Sequence, residues 1–506
     1  MNTSIGALDW TIFVIYIGIV LGVGFWFSRS QKTNEDYFLG GRRMNWLVVG
    51  TSLFATAFSS VSFVMLPREG AYADYHLLTT MLFIPLVITP ILWYLFVPLF
   101  QRLKITSVYE YLGIRFNHRM RKLGTLLFGA YAIGWMGSML YAVGIIVQAT
   151  LGLSHEQFLW VLVGIGIFAT FYTALGGYEA VVWTDLLQSV TLGGGMLVVL
   201  FLIVNMVSGD FSALVEIGKE HDKFRMFNMD FELTERSSFW AAAGFALFMY
   251  LPGYTASQVT VQRYLSMKDL KQARRSLLIN ALVAPVISLI FFLVGTALFV
   301  FYYQQGGFPD IANQDQLLPY FLANEMPLAG LTGLLMAGLF AAGMSTIDSG
   351  INSMTAVIVK DWFPDREKEL SVGFSRKITI LLGATVIVTS LLVPFIGEYV
   401  IEMIAKIAGT FLGLLLGVYL LGMLTRRANT RGALIGLVAG GIALAFVWTQ
   451  THIPHWYYGL FTIGVTFVAG WLASTFFASP SGEQLRGYFI PDEHQQPFMK
   501  EEPREG

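Results

Sequence analysis

Apolar residues arrive in this chain in runs of about twenty, and that run length decides what the chain can fold into. A helix rises 1.5 Å per residue, so about twenty apolar residues match the ~30 Å hydrocarbon core of a bilayer. About thirteen such runs can be read, at 8–27, 46–66, 77–101, 123–149, 157–175, 180–207, 238–257, 278–303, 328–359, 378–396, 399–424, 432–449 and 457–477. Of the 506 residues, 55% are hydrophobic and 13% charged, whereas a soluble domain carries about 25% charged residues. The expected fold class is therefore all-α integral membrane, multi-pass, with the lipid bilayer as its first partner. A net charge of −1 gives no reason to expect a nucleic-acid partner. The absence of cysteine excludes disulfides, zinc-thiolate sites and thiol catalysis.

Basic residues in the loops set the expected orientation, because Lys and Arg stay on the cytoplasmic side. Loop 28–45 holds Arg29, Lys32, Arg42 and Arg43, and loop 102–122 holds Arg102, Lys104, Arg115, Arg119, Arg121 and Lys122. Loop 258–277 holds Arg263, Lys268, Lys271, Arg274 and Arg275, and loop 360–377 holds Lys360, Arg366, Lys368, Arg376 and Lys377. Arg426, Arg427 and Arg431 follow the eleventh run. They alternate with basic-poor loops such as 304–327, which has no Lys or Arg. The first run has no basic residue before it, unlike a cleaved signal peptide. The expectation is a plasma-membrane protein (the inner membrane in a bacterium) with its N-terminus outside and a polar cytoplasmic tail at 478–506.

Within this apolar background, Ala341 to Ser353 (AAGMSTIDSGINS) is crowded with oxygen donors. Ser345, Asp348, Ser349 and Asn352 share one helical face. A carboxylate in mid-bilayer costs roughly 2.5–3.5 kcal/mol on insertion scales, so it is normally turned inward and given a partner. A stripe of hydroxyls and a carboxylate suits a hard cation. The blander alternative is a polar seam between helices, where Ser and Thr act as glue, but an ionisable residue within a membrane points first to function.

Two other runs carry signs of interruption. Gly50 to Met65 concentrates Ser52, Thr56, Ser59, Ser60 and Ser62 at mid-membrane. Phe239 to Tyr254 contains Leu251-Pro252-Gly253-Tyr254, where proline removes a backbone donor and glycine permits a break. These runs begin two five-span blocks, 46–207 and 238–424. Interrupted helices at corresponding places in two halves point to a transporter binding site. A further motif, GGYEAVVWTDLLQ (176–188), sets Asp185 between apolar runs and Glu179 near the boundary, where it is expected to be solvated. Glu402 and Lys406 lie one helical turn apart in the eleventh run, a mutually neutralising pair or a contact at the outer end of a pocket.

These passages resemble the sodium:solute symporter family, which includes sodium-coupled sugar, proline, pantothenate and sialic-acid cotransporters. The resemblance rests on 176–188, on DQLLPYFLANEMP (315–327) leading into 341–353, and on Gly422 to Gly440 with Arg427, Gly432, Ala433 and Gly436. It covers roughly residues 8 to 477. It implies a LeuT-type inverted repeat of five plus five helices with one extra helix before and two after. The organisation implied is an extra helix and loop at 1–45, repeats at 46–207 and 238–424 around an external loop 208–237, two extra helices at 425–477, and the tail. It implies alternating access, no enzymatic activity and the sodium ion as cosubstrate. Its principal sodium site would use the carbonyls of Ala55, Phe58 and Ala342 and the hydroxyls of Ser345 and Thr346. A second sodium, or a proton, would sit among Asp185, Ser345, Asp348 and Ser349, where Asp348 departs from the hydroxyl of many relatives. No Lys or Arg is expected to neutralise this carboxylate pair.

The solute pocket would involve Ser59, Ser60, Ser62, Trp135, Tyr250 and Tyr254, with Glu402 and Lys406 at its outer end. Sialic-acid carriers of the family look to have arginine at the position of Trp135 and glutamine at that of Leu82. Lacking that cation, the pocket is expected to take a small neutral solute such as a sugar or polyol, the alternative being a carboxylate, sialic acid or an amino acid. A cation channel using the same oxygen stripe is the competing class, but no repeated filter loop is present. A membrane enzyme would need a catalytic constellation, and the seven histidines form no HExxH pattern.

Overall fold

The computed structural model describes residues 6–58, 60–230, 238–311, 313–325, 330–363, 370–395 and 400–488, apart from the side chains of 60, 61, 149–151, 210, 331, 332, 335, 341, 342, 394 and 400–406. Among the described residues every regular element is helical. The longer ones are α1 (Ala7–Ser28), α2 (Trp46–Ala57), α3 (Ser60–Tyr72), α4 (His76–Leu103), α5 (His118–Leu151) and α6 (His155–Met206). After them come α7 (Phe239–Phe245, extended through Ala246–Tyr250 and Leu251–Thr255), α8 (Gln258–Leu265) and α9 (Leu270–Gln304). The last five are α10 (Leu331–Trp362), α11 (Val372–Leu392), α12 (Val400–Leu424), α13 (Thr430–Gln450) and α14 (Tyr458–Ser474). Nine of the described helices are long and apolar enough to cross a membrane, ten when the bent pair α2–α3 is taken as one span. Helix α6 has 52 residues, about 78 Å at 1.5 Å per residue, enough for two crossings.

Local sequence explains where these helices start and stop. Asn117, Ser154, Asp269, Ser371 and Asn429 each sit just before a helix and accept a backbone N–H of its first turn. Gly152, in the left-handed region at φ 63°, closes α5. At Gly177 (φ 59°, ψ −155°) α6 leaves helical geometry, which a side chain would resist. Pro252 lacks the N–H that the preceding turn needs, and α7 widens over Ala246–Tyr250. The helix nevertheless runs on through Pro252 and Gly253 to Thr255, so the break expected at Pro252-Gly253 falls instead at Ala256–Ser257, where Ser257 is extended (φ −89°, ψ 123°). The widened turn absorbs the missing donor, and the chain interrupts only where the next half-helix must begin.

The glycines of the 422–440 passage serve packing. A Cβ at Gly432 or Gly436 would collide with Ser474 or the Thr466 carbonyl of α14, so the small residues let α13 and α14 approach backbone to backbone.

Candidate functional site

Helix α2 ends because Phe58 turns extended (φ −93°, ψ 96°), and α3 leaves it at an angle of 67°. The carbonyls of the last turn of α2 thereby lose their helical partners, an arrangement tolerated in a membrane only where it lines a site. Helix α10 runs past this break. Ser345 Oγ donates to the Ala55 carbonyl at 3.3 Å, and Ser345 and Thr346 are both buried. The backbone of Phe58 lies at the same break, and Ala342 is one turn before Ser345 on α10. All five residues expected to hold the principal sodium thus fall on two adjoining segments, although the side chain of Ala342 lies outside the described residues.

One turn further along α10 the polar stripe meets other helices. Asp348 accepts a hydrogen bond from the Tyr172 hydroxyl of α6 and a second from Ser349 Oγ at 3.2 Å. Ser349 accepts from Arg263 Nη2 at 2.7 Å and lies 3.4 Å from Thr56 Oγ1. Asn352 accepts from Gln262 Nε2 at 2.9 Å. Asp185, fully buried, accepts from Ser52 Oγ at 2.5 Å and from Arg263 Nη2 at 2.8 Å. Arg263 also donates from Nε to Ser52 at 2.8 Å and from Nη1 to the Val259 carbonyl at 2.6 Å. The stripe is therefore a seam joining α10 to α2, α6 and α8, and a run of oxygens as well.

Arg263 corrects the expectation that no cation neutralises the carboxylates. Its place at the end of an apolar run suggested a cytoplasmic loop residue. Because α7 breaks at Ala256–Ser257, the chain starts α8 inside the protein, and Arg263 is 1% exposed against Asp185. Glu179 is a second correction. It is buried rather than solvated, accepting from Ser30 Oγ at 2.6 Å and Gln31 Nε2 at 3.2 Å, with Arg43 Nε at 3.5 Å. The segment after α1 folds over the α6 break and covers it. Ser52, Thr56 and Tyr172 were not expected at the carboxylates, nor Gln262 at Asn352. The Ser52/Thr56 spacing of one turn was the available signal for two of them.

Beside the α2–α3 and α7–α8 breaks lies a cavity of about 170 Å³ lined by Thr56, Ser62, Tyr131, Trp135, Tyr250, Tyr254, Ser257, Thr260 and Leu412, with Met65, Met139 and Met249 among its apolar walls. Four residues expected in the solute pocket, Ser62, Trp135, Tyr250 and Tyr254, meet here. Trp135 stacks on Tyr131 with ring centroids 5.7 Å apart and planes at 11°. The Tyr254 hydroxyl accepts from Asn280 Nδ2 at 2.9 Å. Ser59 lies outside the described residues, as do the side chains of Ser60, Glu402 and Lys406. No lysine or arginine lines the cavity among the described residues.

The sodium:solute symporter family model matches residues 37–440. A sodium/sialic acid symporter of Aliivibrio fischeri is 31% identical over 483 residues, covering 94% of each chain. The human sodium/iodide cotransporter is 33% identical over 450 residues, covering 86% of this chain and 69% of its own. A solved structure of a Na+-coupled sialic acid symporter, in a substrate-bound outward-open state, superposes with a TM-score of 0.85 at 30% identity, covering 94% of this chain and 99% of the other.

Proposed function

The chain belongs to the sodium:solute symporter family and is a multi-pass, sodium-coupled carrier; we propose that its solute is a small organic anion. Symport displaces the channel reading, and the neutral sugar or polyol expected from the pocket gives way to the carboxylate alternative. Supporting this, the relatives named above carry, by name, sialic acid and iodide, both anions at neutral pH. The single observation that carries the reading is that the cavity abuts two helix N-termini and the oxygen-rich break of α2. Ser62 lies in the first turn of α3, while Ser257 and Thr260 flank the start of α8. Half-helix N-termini carry partial positive charge and can face an anionic group in place of an arginine. A sodium at the break would add the remaining positive charge.

The principal sodium is assigned to the carbonyls of Ala55, Phe58 and Ala342 with the hydroxyls of Ser345 and Thr346. A second cation is assigned to Asp348 with Ser345 and Ser349; Asp185, expected in the same site, is instead held by Arg263 at 2.8 Å. Alternating access would carry both ions and the solute across, with α2–α3 and α7–α8 as the moving breaks.

The absence of a described cation from the cavity favours a second reading, the neutral polyol. Purified protein in a thermal-shift screen decides between them, because a ligand that binds only the folded state raises its melting temperature. Monocarboxylates, sugar acids and neutral sugars of matched size would each be tested with and without sodium, and hits carried into proteoliposome uptake. Sodium-dependent stabilisation and uptake by the acids alone is expected. Selectivity for the neutral compounds overturns the anion assignment while leaving the carrier itself intact.

A further inference from the structure

The basic loop after α1 does more than orient the chain. Of its four cations, Arg42 is fully engaged, bonding Glu35 at 3.1 Å and the Leu265 and Ile105 carbonyls at 3.0 and 3.1 Å. Arg29 and Lys32 have no partner among the described residues, and both line a cavity of about 480 Å³ together with Trp26, Ser30, Asp36 and Arg43. Asp36 is already engaged by Arg43 at 3.4 Å and by the Thr33 hydroxyl at 2.8 Å. Three cations and one carboxylate leave this pocket with a formal charge of +2. Elsewhere on the basic side, Arg102, Arg115, Arg121 and Arg376 are bonded to carbonyls or carboxylates. Arg29 and Lys32 thus bring two unpaired cations to one cavity.

The cavity opens beside apolar surface. Trp26, in the lining, is 74% exposed, and its chain neighbour Phe25 is 52% exposed. Trp26 and Phe25 lie at the Ser28 end of a membrane-crossing helix, where an indole sits at headgroup depth. A ligand here meets positive charge on one side and hydrocarbon on the other. We propose that this pocket binds the headgroup of an anionic phospholipid, with Arg29 and Lys32 on the phosphodiester and the acyl chains against Trp26 and Phe25. On the orientation read from the basic loops, that lipid belongs to the cytoplasmic leaflet. Arginine grips phosphate through two parallel N–H bonds, and lysine adds a point charge.

The pocket has a route to the transport machinery. Ser30 and Arg43 line it and also hold Glu179. Glu179 is two residues past the Gly177 break in α6, on the helix that carries Asp185. A headgroup drawing on Arg43 would load the same clamp that covers this break.

Native mass spectrometry of the intact protein in detergent, titrated with phosphatidylglycerol or phosphatidylcholine, tests the assignment. One phosphatidylglycerol should be retained in preference to phosphatidylcholine. Each basic residue near an anionic surface contributes about 1 kcal/mol. Arg29→Gln with Lys32→Gln should therefore weaken that lipid about thirtyfold, and Arg29→Gln alone about fivefold. The pair Lys268→Gln with Lys271→Gln, which removes the same charge from another loop, should leave retention unchanged. Equal losses in both pairs would show diffuse attraction and overturn the site. Inorganic phosphate and glycerol phosphate distinguish the source: if either displaces the lipid at millimolar concentration, the pocket takes free phosphate and the lipid proposal fails.

Discussion

Asp185 and Asp348 are both fully buried, both lie in the seam between α6 and α10, and they are neutralised in different ways. Asp185 has a resident cation, Arg263 at 2.8 Å, with Ser52 as a second donor. Among the described residues Asp348 receives hydroxyls only, from Tyr172 and Ser349. A buried charge paired by a fixed guanidinium is a strut, costly to break and slow to change. A buried charge met by hydroxyls alone leaves a place for a cation that comes and goes. The two carboxylates are joined through one atom, Ser349 Oγ, which receives Arg263 and donates to Asp348. Structure and transport therefore meet within one hydrogen-bond chain, and the sharpest experiments remove one end at a time.

The largest effect should come from stranding Asp185. Arg263→Met leaves that carboxylate buried without its cation, and breaking a buried pair typically costs about 3–5 kcal/mol. A melting temperature several degrees lower, by fluorescence-detected unfolding in detergent, is expected. Adding Asp185→Leu to the same variant should recover most of the loss, since an apolar pair of similar volume is often neutral or better. A stable single variant would break the contrast, because Asp185 would then not depend on Arg263.

Asp348→Asn should leave the fold intact and act on sodium instead. Removing a charge from a desolvated site costs about 2–5 kcal/mol of binding, at least thirtyfold in affinity for the ion held there. The Hill coefficient for sodium in proteoliposome uptake should fall toward one while solute still binds. Unaltered cooperativity in this variant would make Asp348 a structural residue like its neighbour.

This difference shows what the linear chain discloses. The membrane-crossing helices are legible because a run of about twenty apolar residues has few other uses in a folded chain. The α6 break is legible too, from the adjacent glycines at 176 and 177. The oxygen stripe of α10 follows from helical spacing alone. Arg263 was not legible, because its partner is 78 residues away and a basic residue after an apolar run reads as loop. Glu179 was missed for the same reason, its donor Ser30 lying 149 residues earlier. Hydrophobic periodicity reports which residues are buried, whereas charge pairing depends on contacts that only the assembled helices create. The first break was inferred from hydroxyl density without any Pro or Gly in its polar stretch. Its position at Phe58 is visible only in the backbone angles.

Of intermediate size are the changes at the α2 break, which sharpen the contrast by testing oxygen ligands that carry no charge. Ser345→Ala and Thr346→Ala each delete one hydroxyl from the principal sodium site. Interactions with a charged group are worth about 1.5–3 kcal/mol, so each variant should need at least tenfold more sodium for half-maximal uptake at normal expression. Sodium dependence unchanged in both would remove the site from these residues.

The smallest expected effect probes the strut from its weaker side. Ser52 donates to Asp185 Oδ2 at 2.5 Å and accepts from Arg263 Nε at 2.8 Å, so it braces both members of the pair. Ser52→Ala removes that brace but leaves the Arg263–Asp185 contact and the Arg263 bonds to Ser349 and the Val259 carbonyl. A net intramolecular hydrogen bond contributes about 0.5–1.5 kcal/mol, and here the guanidinium keeps its other acceptors. A loss of about 1 kcal/mol in stability is expected, read as a small shift in melting temperature, with no change in the Hill coefficient. A change in sodium cooperativity without loss of stability would reverse the assignment of roles. Asp185 would then belong to the exchangeable site, and the division between a fixed and a mobile counter-charge would not hold.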